Sequence, residues 1–166
     1  MKNLYLIRHA KSSWKDTSLP DFERPLNKRG KGDAPDMGRR LHHRGVQADM
    51  LLSSPAVRAK KTAVAVAREI GFPEEKIDFR SGLYHASPLA MQEKIAQVDD
   101  KVATLFLVGH NPGLTDLACQ LTSAGIDNIV TCGIYAMSLD IKHWADMKLD
   151  GKASLIFYDY PKKKQT

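Results

Sequence analysis

Much that would assign this chain to a class at a glance is missing from it. Two cysteines in 166 residues, Cys119 and Cys132, are too few for a disulfide framework or a cysteine-based zinc site, so a reducing, cytoplasmic setting is expected. No apolar stretch approaches the roughly 20 residues that a membrane-spanning helix needs. The apolar start, Leu4 to Ile7, is too short for a signal-peptide core and runs straight into charge, so no targeting segment is expected there. No HExxH pattern offers a metal site. Aromatic residues are sparse and do not interleave with a basic face, which argues against nucleic acid as a partner. With no repeat, low-complexity region or linker, residues 1–166 read as one domain, long enough to bury a core unaided.

The formal net charge is +6. Part of it lies in the Lys-rich tail 162–166, expected to be a flexible, solvated end. The rest is scattered, with Lys and Arg frequent in the first 61 residues, and would suit nucleic acid or a smaller phosphorylated substrate; charge alone does not separate the two.

Apolar runs alternate with helical patterns, as in α/β proteins with a mostly parallel sheet. Strands are expected at Asn3 to Ile7, Met50 to Ser53, Thr104 to Val108, Ile134 to Leu139 and Ser154 to Tyr158, with a weaker one near Ile77 to Phe79. Helices are expected at Lys28 to Arg44, Ala56 to Ile70, Pro88 to Gln97 and Pro112 to Leu121. Asn27 suits the N-cap of the first helix and Gly45 its stop. The stripes Val57, Ala63, Val64, Ala67, Ile70 and Leu114, Leu117, Ala118, Leu121 are core faces.

Ligands of open parallel sheets bind beyond the carboxyl ends of the strands. Three strands here end in LYLIRHA, LLSSPAVRAKKTA and TLFLVGHNPGL, which would gather Arg8, His9, Arg58 and His110 around one crevice. A lone histidine at a strand end is more often structural than catalytic. Two histidines with two arginines on neighbouring ends form a cup for a compact dianion, because guanidinium forks match phosphate oxygens. In such a cup a neutral imidazole can attack phosphorus while arginines hold the other oxygens. Zinc at His9, His85 and His110 is the competing reading, but Arg8 and Arg58 would repel a cation. No metal or other cofactor is expected. His42 and His43 are expected to face solvent, and Trp14 and Tyr84 either to line the mouth or to pack inside.

With these pieces quoted, the chain resembles the histidine phosphatase superfamily, and within it the short SixA-type phosphohistidine phosphatases. The matching segments are LYLIRHAKSSW at 4–14, ERPLNKRG at 23–30, LLSSPAVRAKKTA at 51–63 and LVGHNPGL at 107–114. The resemblance implies a phosphoglycerate-mutase-like three-layer α/β/α sandwich with a mostly parallel sheet of about six strands, one of them antiparallel. It implies His9 as the transiently phosphorylated nucleophile, with Arg8, Arg58 and His110 completing the catalytic set. Arg24 looks like the extra arginine that the SixA type directs at the phosphoryl group. Ser12, Asn111 and His85 are further candidates for binding phosphate or substrate.

Two departures refine this. Where many members carry a proton-donating Glu in a Leu-x-Glu pattern, this chain reads Leu83-Tyr84-His85. A phosphoramidate bond needs less acid help than an ester, so the absence points to phosphohistidine; His85, Asp16 or Asp21 is the candidate donor if one is needed. The loops are also too short to enclose a small sugar phosphate. The expectation is therefore a metal-independent phosphohistidine phosphatase acting on a protein, monomeric and with no membrane partner. A phosphatase for small phosphate esters is the alternative, and a non-catalytic phosphate-binding module the alternative of another class.

Overall fold

The computed structural model describes residues 1–164. Six strands form one sheet: β1 (Lys2–Arg8), β2 (Met50–Ser53), β3 (Asp78–Phe79), β4 (Thr104–Gly109), β5 (Ile134–Leu139) and β6 (Ser154–Asp159). Four helices, α1 (Lys28–His43), α2 (Val57–Ile70), α3 (Pro88–Ala96) and α4 (Gly113–Leu121), cover it. The expected elements are all present, with limits displaced mostly by a residue, the usual uncertainty of helix and strand ends.

The strands lie in the order β3-β2-β4-β1-β5-β6. β1, β2, β3 and β4 run parallel, and β5 is antiparallel to both neighbours. The sheet is thus mostly parallel with β5 as the reversed strand. In β1 the period of two sends Leu4 and Leu6 into one core and Tyr5 and Ile7 into the other. The first core takes Leu114, Leu117 and Leu121 of α4 with Met91 and Ile95 of α3. The second takes Ala34, Met37 and Leu41 of α1 with Ala59, Ala63, Val66 and Ala67 of α2. Both faces are therefore covered, as the continuous apolar runs of β1 and β4 require.

Local chemistry sets the element ends near the sheet's carboxyl edge. Asn27 caps α1, its side-chain oxygen accepting from Gly30 N at 2.8 Å. Gly45, past the end of α1, takes a left-handed φ of +72° that a glycine adopts without strain. Ser87 caps α3 by accepting from Ala90 N at 3.1 Å. The Lys-rich end is anchored further than a solvated tail would be: Arg40 donates to the carbonyls of Tyr160, Pro161 and Lys163. Residues 165 and 166 of that tail lie outside the described residues. Among the described residues no helix is long and apolar enough to cross a membrane.

One glycine ties fold to site. Gly30, in the first turn of α1, packs so closely on the loop after β1 that a Cβ there would lie 2.2 Å from the Lys11 carbonyl oxygen. Gly32, two residues on, has nothing within 4 Å of an added Cβ. Gly30→Ala is therefore expected to cost about 1–3 kcal/mol in urea denaturation, whereas Gly32→Ala should stabilise by roughly 1 kcal/mol through helix propensity. Changes of the same sign in both would refute the close approach.

Candidate active site

β1 ends in the middle of the sheet, and the residue beyond it is held by its backbone. His9 N donates to Gly109 O of β4 at 3.1 Å, and the His9 carbonyl accepts from Cys132 N at 3.0 Å. Ala10 N donates to Thr62 Oγ1 at 2.9 Å, and that hydroxyl donates to Arg58 O at 2.8 Å. The nucleophile candidate and the first turn of α2 are thereby locked together.

His9 is only 7% exposed. Its Nδ1 lies 2.8 Å from the Ala10 carbonyl oxygen, which can only accept, so Nδ1 carries the hydrogen and Nε2 keeps its lone pair. Burial pushes the His9 pKa down most strongly; the bond to Ala10 opposes it, and the charges of Arg58, Arg8 and Arg24 add to the lowering. The outcome is a pKa of about 4, which leaves the imidazole neutral at physiological pH.

His110, following β4, lies beside it, with ring centroids 5.2 Å apart. Its Nε2 is 2.7 Å from Ser54 Oγ. Burial first, then the neighbouring His9, Arg58 and His85, push its pKa down to about 3. Arg8 donates through Nη1 to Ile129 O at 3.0 Å. Arg58, 2% exposed, donates through Nη1 to the Asp21 carbonyl at 2.6 Å and through Nη2 to Asp21 Oδ2 at 2.9 Å. Among the described residues four buried side-chain atoms lack a hydrogen-bond partner. Three belong to this cluster: Arg8 Nε, Arg58 Nε and His110 Nδ1. The fourth, Asp33 Oδ2, has Arg29 Nε at 3.4 Å.

Other candidates are placed unequally. Arg24 donates through Nη1 to Ser12 Oγ at 2.7 Å and through Nε to Asp21 Oδ1 at 3.1 Å, while its guanidinium lies 3.6 Å from the Trp14 ring centroid. Trp14, 68% exposed, is thus at the surface and not packed inside. Tyr84 is half-buried, its hydroxyl donating to Asp21 Oδ2 at 2.5 Å. His85 takes a left-handed φ of +50°, and its Nε2 reaches the same oxygen at 3.0 Å. His85 also stands 4.9 Å from the His110 ring, centroid to centroid.

Asn111 requires a correction. Its amide donates to Asn128 Oδ1 and Ile129 O, both at 2.9 Å, and its oxygen accepts from Thr115 N and Oγ1. All four hydrogen bonds of its side chain are spent on protein, so that side chain ties down the loop that seats Arg8 and has none to spare for phosphate. The carboxylates also prove unsuited to donating a proton. Burial pushes the Asp21 carboxyl up, but hydrogen bonds from Tyr84, His85 and Arg58 with the Arg58 charge outweigh it and hold it well below the usual range. Asp16, lowered chiefly by its bonds from Ser18, serves its own turn. Of the three proposed donors only His85 remains.

Comparisons with known proteins place the chain in a family. Residues 4–84 match the sequence profile of the histidine phosphatase superfamily (branch 1). An uncharacterised protein of Mycobacterium tuberculosis is 34% identical over 166 residues, covering 94% of this chain and 100% of the relative. The chain belongs to the histidine phosphatase superfamily. Among solved structures, the SixA chain of Agrobacterium tumefaciens, described as a phosphohistidine phosphatase candidate, superposes with a TM-score of 0.79 at 27% identity, covering 96% of this chain and 98% of that one. A similarly described SixA chain of Nakamurella multipartitia gives a TM-score of 0.84 at 22% identity, covering 98% and 97%.

Within this histidine phosphatase chain, three contributors were not singled out in the sequence: Ser54 against His110, Thr62 under Ala10, and the Ile129 carbonyl on Arg8. The first two lie inside LLSSPAVRAKKTA, so the motif held the signal. The carbonyl could not be read from any side chain. Among the described residues no group of three or more His, Cys, Asp or Glu is arranged to hold a metal ion.

The depressed histidines have a consequence for stability. An ordinary imidazole takes up a proton near 6.5, but His9 does so only near 4 and His110 near 3. Between those values the unfolded chain binds more protons, so stability falls as pH drops below about 6.5, by roughly 1.4 kcal/mol per pH unit for each histidine. Melting temperatures from pH 7 to 4.5 should therefore fall less steeply in His9→Ala than in wild type. Equal slopes would show that His9 titrates normally.

Proposed function

We propose that this chain is a metal-independent phosphatase that works through a phosphorylated His9, with phosphohistidine on a protein as its substrate. The observation that carries the reading is the trio of unpartnered nitrogens, Arg8 Nε, Arg58 Nε and His110 Nδ1, gathered around a neutral imidazole. An unmet buried donor costs about 1–3 kcal/mol. Phosphoryl oxygens answer all three. Arg8 and Arg58 each have an Nε–Nη2 edge with hydrogens to spare, the bidentate geometry that recognises such a group. Ser54 Oγ accepts from Ala56 N and shares a hydrogen bond with His110 Nε2; with the Ser54 proton in that bond, the Nδ1 hydrogen of His110 is left for the substrate.

The reaction follows from these placements. His9 Nε2 attacks phosphorus, the bond from phosphorus to the substrate imidazole breaks with its electron pair left on that nitrogen, and the nitrogen takes a proton from solvent at the open rim. As positive charge grows on His9, its Nδ1–H remains on the Ala10 carbonyl, which stabilises the cation. Water then attacks phosphorus from the side opposite Nε2, the P–N bond breaks, and phosphate departs with His9 neutral again. A second reading, ester hydrolysis, is supported by one placement: His85, the remaining donor candidate, stands 4.9 Å from the His110 ring, centroid to centroid. The protein-borne substrate is supported by the exposed mouth at Trp14 and by the missing carboxylate at Leu83-Tyr84-His85.

The test is labelling quenched with SDS at alkaline pH, where a phosphohistidine survives, together with dephosphorylation of a phosphohistidine protein, with EDTA present. Wild type should trap an acid-labile phosphoenzyme and clear the substrate, and His9→Ala should do neither, with turnover down by at least about 10³-fold. Turnover of p-nitrophenyl phosphate alone would move the substrate to small esters. Phosphate binding without any phosphoenzyme would leave a binding module.

A further inference from the structure

Asp21 receives more donors than any other carboxylate around this site. Oδ2 accepts from Arg58 Nη2 at 2.9 Å, Tyr84 Oη at 2.5 Å and His85 Nε2 at 3.0 Å. Oδ1 takes Arg24 through Nε and Nη2, each at 3.1 Å. The Asp21 main-chain carbonyl takes Arg58 Nη1 at 2.6 Å. The donors come from three separate stretches: the loop between β1 and α1, the first turn of α2, and the loop after β3. One residue therefore joins three of the segments around the cup.

We propose that Asp21 is the positioning residue of this site: it grips Arg58 end-on and Arg24 from the side, so that the Nε–Nη2 edge of Arg58 is aimed at a bound phosphoryl group. The proposal rests on the phosphatase reading for its ligand. Its geometry is in the choice of edge. Asp21 occupies Nη1 and one hydrogen of Nη2, and leaves Nε, buried and without a partner, beside the second Nη2 hydrogen. An anion can enter on that edge without expelling the carboxylate, so Asp21 is not a plug in the phosphate seat.

Charge and donor chemistry explain why this position needs Asp. An ionised carboxylate is acceptor-only and offers about four lone-pair sites, which matches a ring composed wholly of donors. An amide would turn an N–H toward guanidinium, phenol or imidazole. One negative charge between Arg24 and Arg58 also relieves their mutual repulsion while leaving a net positive cup for a dianion. Arg58 is nearly fully buried, and its Nη1 and Nη2 both bond to Asp21. Without Asp21 the fork loses its aim. The strong preference of Asp21 for the ionised form agrees with a fixed anion and not with a proton donor.

The experiment measures the Kd of inorganic phosphate by calorimetry and the pH profile of p-nitrophenyl phosphate turnover, for wild type and Asp21→Asn, with thermal melting to check the fold. The expected result is a Kd raised about 10-fold and kcat/KM lowered about 100-fold, with the shape of the pH profile retained. A lower Kd would make Asp21 a competitor of phosphate, and an unchanged Kd would make it scaffold; either outcome overturns the proposal. So does loss of one limb of the profile, which would mark a proton donor, and so does failure of wild type to bind phosphate. If Asp21→Asn does not fold, Tyr84→Phe removes a single donor from Oδ2 and should raise the Kd by roughly threefold; no rise would be equally fatal. Because phosphate binding is read without turnover, a wild type that binds but forms no phosphoenzyme overturns the phosphatase reading and spares this one.

Discussion

Holding an imidazole uncharged beneath several guanidinium groups is the constraint on which the rest of this structure depends. In water an imidazole near neutrality is half-committed to its proton, and phosphorus is attacked only by a free lone pair. Burial of His9 removes most of the hydration that would stabilise imidazolium, and Arg58, Arg8 and Arg24 add repulsion. The same cations must not drive one another apart before a substrate arrives. Neutral carbonyl oxygen holds Arg8, while one carboxylate holds both Arg24 and Arg58. The nucleophile and its surroundings are thus one electrostatic unit.

The sheet makes that unit possible. β1 lies beside β4, and β2 lies on the far side of β4, so residues 8–9, 54–58 and 110 meet at adjacent carboxyl ends although they are distant in sequence. The reversed strand β5 is equally important. Because it runs against β1, its beginning stands at the same edge, with Ile134 opposite Ile7. The segment leading into it then supplies the Ile129 carbonyl to Arg8 and the Cys132 N–H to the carbonyls of Arg8 and His9. A parallel strand in that place would present its end there and send this segment to the opposite edge.

What could be read in the sequence was what depends on short-range pattern. Leu4 to Ile7 alternate between two cores, Asn27 caps three residues ahead, and Gly45 follows the last apolar turn; each signal is local, and each element was legible. The convergence of Arg8, His9, Arg58 and His110 was legible too, because parallel strands place their ends together. Asn111 was misread for the opposite reason. It stands in a motif beside His110, but its amide is consumed by Asn128, Ile129 and Thr115, and nothing in GHNPGL says that the 128–129 loop returns to it. Asp21 is similar. Its suitability as an acid depends on donors at 24, 58, 84 and 85, whose meeting is tertiary.

Access to the cup bears on which reaction a neutral His9 can complete. In the proposed reaction a phosphohistidine formed at His9 would have to be hydrolysed, so water must reach phosphorus in line with Nε2. The base of the site is dry, with His110 only 3% exposed, but its rim is open: Trp14 lies flat on Arg24 at the surface, and Phe22 meets Tyr84 edge-on. The cover over Arg58 is a loop with a single 3₁₀ turn at Asp21–Glu23, fastened mainly through Arg24 and Asp21. A dry base preserves the lone pair, and a wet rim admits both a phosphorylated side chain from a larger surface and the water that follows it. A closed lid would protect a phosphoenzyme for transfer to a second acceptor, whereas this rim leaves the site open to solvent. That openness supports the proposed hydrolysis.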